Sequence, residues 1–74
     1  MLGTVSNMVT ARKYGFISGD DGSEYFFHTS DTIDWDEIVT RFNAKGGGTI
    51  RVAFKPVKTP KGLRARTVNL DLAS

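Results

Sequence analysis

Tyr14, Phe16, Tyr25, Phe26 and Phe27 fall within fourteen residues, and His28, the only histidine of the chain, follows directly. Rings held at such density offer stacking on flat π systems, and an imidazole beside them can stack or donate a hydrogen bond. Bond-breaking chemistry has far less to work with. His28, Ser30 and Asp31 supply the residue types of a hydrolytic triad. They are nearly contiguous, however, and one extended segment cannot aim three side chains at a single carbonyl. The chain has no cysteine, which removes a thiolate nucleophile, a thiolate metal site and disulfides together. Asp34, Asp36 and Glu37 could offer oxygen to a divalent cation, but neither a twelve-residue calcium loop nor a histidine pair accompanies them. Gly46, Gly47 and Gly48 lack the following Lys-Ser/Thr pair of a phosphate loop, so a flexible join is the expected reading. Catalysis, a metal and a cofactor are therefore not expected.

A chain of 74 residues makes one small domain, expected to span residues 1–74, with a core that buries only roughly 60% of the unfolded surface. The first residues carry no basic stretch followed by an apolar one, so no secretion signal is read there. No apolar run approaches the ~20 residues of a membrane span. A cytoplasmic monomer without membrane contact is the expectation.

The elements that must position the rings are legible as alternating runs. Residues 3–10 read as a half-buried strand with Val5 and Val9 on one face. Residues 14–18 and 24–28 read as two further strands, joined by a hairpin at Asp21-Gly22, where glycine accepts the positive φ that tight hairpins need. Thr49 to Lys55 and Leu63 to Leu70 form the last pair, with Pro56 and Pro60 marking the strand end and the turn. Between Ser30 and Gly48 the period changes. Trp35, Ile38 and Phe42 share one helical face, Asp34 and Glu37 suit a capping box, and Arg41 near the end suits the helix dipole. Five strands with a short helical insert between strands 3 and 4 predict an all-β, five-stranded antiparallel barrel of the OB type. An SH3-like barrel is the structural rival.

Alternation also assigns faces. Ile17 is the natural core member of the second strand, which turns Tyr14 and Phe16 outward. The hairpin then gathers Phe26 and His28 beside them, and an exposed aromatic patch of that kind marks a binding surface. The opposite orientation stays open, because Tyr25 and Phe27 are large for the interior of a small barrel.

Net charge is only +2 but unevenly placed. Residues 19–37 carry seven acids and no base, whereas residues 38–74 carry eight bases against Asp71 alone. This split suits either a basic face for polyanions or two solvated patches of opposite sign.

"KYGFI" followed by "YFFH" resembles the paired ribonucleoprotein motifs of the cold-shock domain family, and the similarity extends over most of the chain outside residues 31–48. "GTVSNMVTARKYGFI" has the family's spacing, "DDGSEYFFH" its hairpin, and "GTIRVAF" and "KGLRARTV" its last two strands, with Leu63 for a usual proline and Thr67 for a usual asparagine. The resemblance implies an OB barrel that binds single-stranded RNA or DNA. In that reading Tyr14, Phe16 and Phe26 stack on bases, while His28 stacks or donates a hydrogen bond. Arg12 and Lys13 stand at the start of the platform, and Lys58, Lys61 and Arg64 around the last turn are candidates for phosphate contact or are ordinary surface charge. The family usually has tryptophan and phenylalanine where this chain has Asn7 and Met8, and a further phenylalanine where it has Thr29. Asn7 is a candidate for hydrogen bonding to a base edge. Trp35 is expected to pack on the core rather than join the platform. A protein- or peptide-binding barrel using the same patch is the alternative.

Overall fold

The structure, a computed structural model, describes residues 1–45 and 50–71. Five strands form it: β1 (Leu2–Val9), β2 (Tyr14–Gly19), β3 (Glu24–His28), β4 (Arg51–Thr59) and β5 (Gly62–Leu70). One helix, α1 (Trp35–Lys45), lies between β3 and β4. The strands close in the order β1-β2-β3-β5-β4, with β4 returning to β1. This is an OB-fold-like barrel. It differs from the wholly antiparallel expectation at one seam, where β3 and β5 run parallel through the pair Phe26 and Arg64. The reason is parity: directions around a closed ring of five strands cannot alternate everywhere, so at least one neighbouring pair must be parallel.

β2 and β3 pair as their alternation requires, Tyr14 opposite His28 and Phe16 opposite Phe26. Their hairpin turns at Gly22, whose φ of 86° lies where a side chain would be strained. The Asp21 carboxylate accepts the Ser23 amide at 3.0 Å and completes that turn.

The core holds Val5, Ile17, Tyr25, Phe27, Ile38, Val52, Phe54 and Val68 among others, all buried. The two large interior rings are accommodated by different devices. Tyr25 passes its hydroxyl out to Asp21 at 2.7 Å, so its polar end never enters the core. Phe27 lies opposite Gly15 in the ladder, and the absent side chain there provides its space.

α1 presents Trp35, Ile38 and Phe42 to the core, as their spacing predicts. Trp35 packs edge-on to Phe27 with ring centroids 5.8 Å apart, so it lies against the core and is not part of the outer ring cluster. Asp34 precedes the helix and its carbonyl accepts the Ile38 amide at 2.9 Å. Glu37 does not complete a capping box but accepts a hydrogen bond from Arg41, one turn on, at 3.0 Å. Gly46 to Gly48 and the expected strand start at Thr49 lie outside the described residues.

Two strand readings need correction. In β1 the register slips between Val5 and Asn7, leaving Ser6 as the extra residue of a bulge. The slip changes the phase of the strand. Val5 is buried, Asn7 is exposed although it shares Val5's parity, Met8 turns inward and Val9 is only half-buried. In the last hairpin β4 does not stop before Pro56 but runs on to Thr59, with Pro56 opposite Ala65. Pairing of β4 with β1 ends at Ala53, so Pro56 sits where β4 has a neighbour on one side only, and its missing amide breaks no inner ladder.

Candidate functional site

The bulged β1 and the β2–β3 hairpin fix which way the rings point. Gly15, Ile17, Tyr25 and Phe27 are buried, and the residues alternating with them, Tyr14, Phe16, Phe26 and His28, are half-buried on the outer face. Ring centroids lie 5.4 Å apart for Tyr14 and Phe26, 5.9 Å for Tyr14 and Phe16, and 6.0 Å for Phe16 and Phe26. Tyr14 and Phe26 are tilted by 35°, whereas Phe16 stands nearly edge-on to both. These spacings fit favourable aromatic contact, so the three rings brace one another on rigid strands without being enclosed.

His28 adds a directed polar group. Its Nδ1 accepts the Ser30 amide at 3.1 Å and lies 3.0 Å from the Ser30 hydroxyl. With Nδ1 accepting, the neutral imidazole carries its proton on Nε2, which is the nitrogen available to a ligand. The Asp31 carboxylate is directed to Arg64 and not to His28, so these neighbours form no relay.

Asp31 instead holds the edge of the ring cluster. Its side chain is only 11% exposed. It accepts from Nε of Arg64 at 2.8 Å and has Arg66 Nε at 3.6 Å. The same Arg64 guanidinium lies 5.7 Å from the centre of the Phe26 ring, so it forms the flank of the ring cluster. Arg64, expected as a phosphate contact or as ordinary surface charge, is therefore held in place by Asp31. Nothing local in the sequence marks this pairing, since Asp31 is one of seven acids in residues 19–37.

Beyond Phe26 the surface sinks into an open groove of about 670 Å³, walled by Phe16, Phe26, Pro60, Lys61, Leu63 and Arg64. Lys61 lies on its rim, and Lys58 is exposed on β4 opposite Leu63. At the other end, Arg12 and Lys13 are exposed in the short turn between β1 and β2. The Lys13 carbonyl accepts the Thr29 amide at 2.9 Å, which ties that turn to the residue after His28. Asn7 lies opposite Phe16 on the outer face, but its carboxamide oxygen accepts the Met8 amide at 2.9 Å within the bulge. Its NH2 group is left to donate to a base edge. Met8 is buried and adds nothing to the outer face.

Away from the rings two neighbouring acids, Asp20 and Asp21, are engaged within the fold. Asp20 makes a paired contact with Arg51, at 2.9 and 2.7 Å, and the guanidinium hydrogen bonds hold its carboxyl below the usual range. Asp21 is lowered chiefly by the Tyr25 hydroxyl, which is itself raised by the same bond. Among the described residues no three histidine or carboxylate groups gather where they could hold a metal ion. Nor is any helix there long and apolar enough to cross a membrane.

Fold and surface together define a small OB-like β-barrel carrying an outward aromatic cluster with a basic margin. In comparison with known proteins, no family model and no curated protein matches the chain.

Proposed function

We propose that this is a cold-shock-like barrel that binds single-stranded RNA or DNA in the cytoplasm, stacking bases on Tyr14, Phe16 and Phe26 and holding strands unpaired as a nucleic-acid chaperone does. The observation that carries the reading is the convergence of three rings and a histidine on one outer face, next to a groove with cationic walls. Every base has a π face, so such a surface tolerates sequence, and only unpaired strands expose those faces. Arg12, Lys13, Lys58 and Lys61 ring this face and serve the phosphates, and their contribution falls with salt. His28 Nε2 and the Asn7 NH2 group are the donors that meet base edges.

Titration with oligo-dT and oligo-U at two salt concentrations, followed through the amide resonances of Tyr14, Phe16 and Phe26, tests the proposal. Phe16→Ala and Phe26→Ala should each cost ~1–3 kcal/mol per stacked base, roughly 5- to 150-fold in affinity, with the fold kept. Unchanged affinity in both variants refutes the platform. Binding that does not weaken with salt points instead to a peptide ligand on the same apolar patch.

A further inference from the structure

The register of β4 and β5 sets two cations against each other. Lys55 and Arg66 are directly opposed in the antiparallel ladder, and both are exposed. Like charges placed so are destabilising, and residues 52–70 contain no acid to relieve them. Asp31 is the nearest relief, yet its carboxylate is already engaged by Arg64 and stands 3.6 Å from Arg66. One carboxylate thus serves two guanidiniums, and Lys55 has no acid partner among the described residues. The outer face of this hairpin keeps an excess of positive charge that folding alone does not call for.

The same face continues the aromatic surface. β5 is the neighbour of β3 through Phe26 and Arg64, so Arg66 lies two residues, about 7 Å, further along β5 on the same side as Arg64. Two depressions run side by side here. The groove bounded by Phe16 and Phe26 shares Thr59 and Arg64 with a second, of about 310 Å³, bounded by Val57, Arg66 and Asp31. Arg64 thus lines both depressions, Arg66 lines the second, and Lys55 stands across from Arg66 in the ladder.

From these observations we infer that the single strand does not end at the rings but crosses β5 onto β4, where Lys55 and Arg66 bind its phosphates. The inference rests on the single-strand reading of the rings and extends the site from a stacking platform to an L-shaped track. Arg64, stacked on Phe26 and held by Asp31, is the corner between base contact and backbone contact.

The test compares a U tetramer, long enough for the rings alone, with a U dodecamer, each titrated over a series of salt concentrations. In the Lys55→Ala/Arg66→Ala double variant the slope of log K against log salt for the dodecamer should fall by about 1.4, from two lost phosphate contacts, while the tetramer binds as before. Its urea unfolding should remain a single cooperative transition, since both side chains are exposed. Arg41→Ala, on α1, controls for net charge and should leave the dodecamer slope unaltered. A dodecamer slope equal to that of the parent overturns the track, as does an equal loss of slope on the tetramer. Phe26→Ala separates the two readings. It should weaken both oligomers, and if it weakens neither, the ring platform fails while the double variant still reports on Lys55 and Arg66.

Discussion

Gly15 lies between Tyr14 and Phe16, and a single methyl group added there tests how the platform is built. Its position faces inward, opposite Phe27 on one side and Met8 on the other. A Cβ built on it would stand 2.7 Å from the Asn7 carbonyl oxygen and 2.8 Å from Cε1 of Phe27. Both contacts are too short, and neither neighbour yields easily. The Asn7 carbonyl belongs to the bulged stretch of β1. Phe27 is fully buried and backed by Trp35. Overpacking of this kind costs ~1–3 kcal/mol. The smaller unfolded-state entropy of alanine returns ~0.4–1 kcal/mol. We expect Gly15→Ala to lose about 1–2 kcal/mol, or roughly 4–16 °C in Tm for a domain of this size. Urea unfolding followed by Trp35 fluorescence measures it, with Trp35 itself reporting on any displacement of Phe27. A second substitution sharpens the test. Phe27→Leu removes the ring atoms that the methyl group would strike, so the double variant should be more stable than the sum of the single losses allows. A Gly15→Ala protein within 0.5 kcal/mol of the parent would refute the argument that this absent side chain is what admits Phe27.

Tyr25→Phe removes the hydroxyl that holds the Asp21 carboxyl below its ordinary value of 3.8. A lowered folded pKa adds stability that is present above the unfolded value and is lost as pH falls through the folded one. The Tm gap between parent and variant should therefore hold at neutral pH and narrow below about pH 4, and a gap constant from pH 7 to pH 2 would contradict the assignment. Thr67 has φ of 52°, a left-handed conformation that costs an L-residue ~1–2 kcal/mol and suits a β-branched one least. Thr67→Asn should raise the urea midpoint by the equivalent of about 0.5–1 kcal/mol, since asparagine tolerates that region; an unchanged or lower midpoint would show that Thr67 is not strained.

What the sequence makes legible here is what depends on near neighbours. Alternation in "YGFI" and "YFFH" places the four outer groups, Asp21-Gly22 sets the hairpin, and the Trp35, Ile38 and Phe42 stripe gives the helix and its buried face. The parts that escape are set by partners distant in the chain. The bulge at Ser6 cannot be read from residues 3–10, because its phase change is defined by which residues of β2 lie across from it. Pro56 reads as a strand end until the short β1–β4 pairing shows that its amide would have had nothing to meet. Asp31 and Arg64 are thirty-three residues apart, and only the parallel seam between β3 and β5 brings them together. That some pair must be parallel follows from closing five strands into a ring, but that it is β3 with β5 follows only from the strand order.

The charge distribution gains its meaning only when pairing is considered. A total of +2 is too small to draw a polyanion over any distance. Much of the acidic block is nevertheless consumed within the fold: Asp20 by Arg51, Asp31 by Arg64, Glu37 by Arg41, and Asp21 by a tyrosine hydroxyl. The cations so spent lie at the barrel end, on the helix and at the corner of the ring cluster. Arg12, Lys13, Lys55, Lys58 and Lys61 have no ion pair among the described residues, and they border the outer face of β2, β3, β5 and β4. Under the single-strand reading, with the Debye length near 8 Å at physiological salt, a phosphate at the rings would respond chiefly to the cations nearest to it, Arg64 on Phe26 and Lys61 on the groove wall. The modest net charge is thus the sum of an acidic block largely paired within the fold and cations left on the surface.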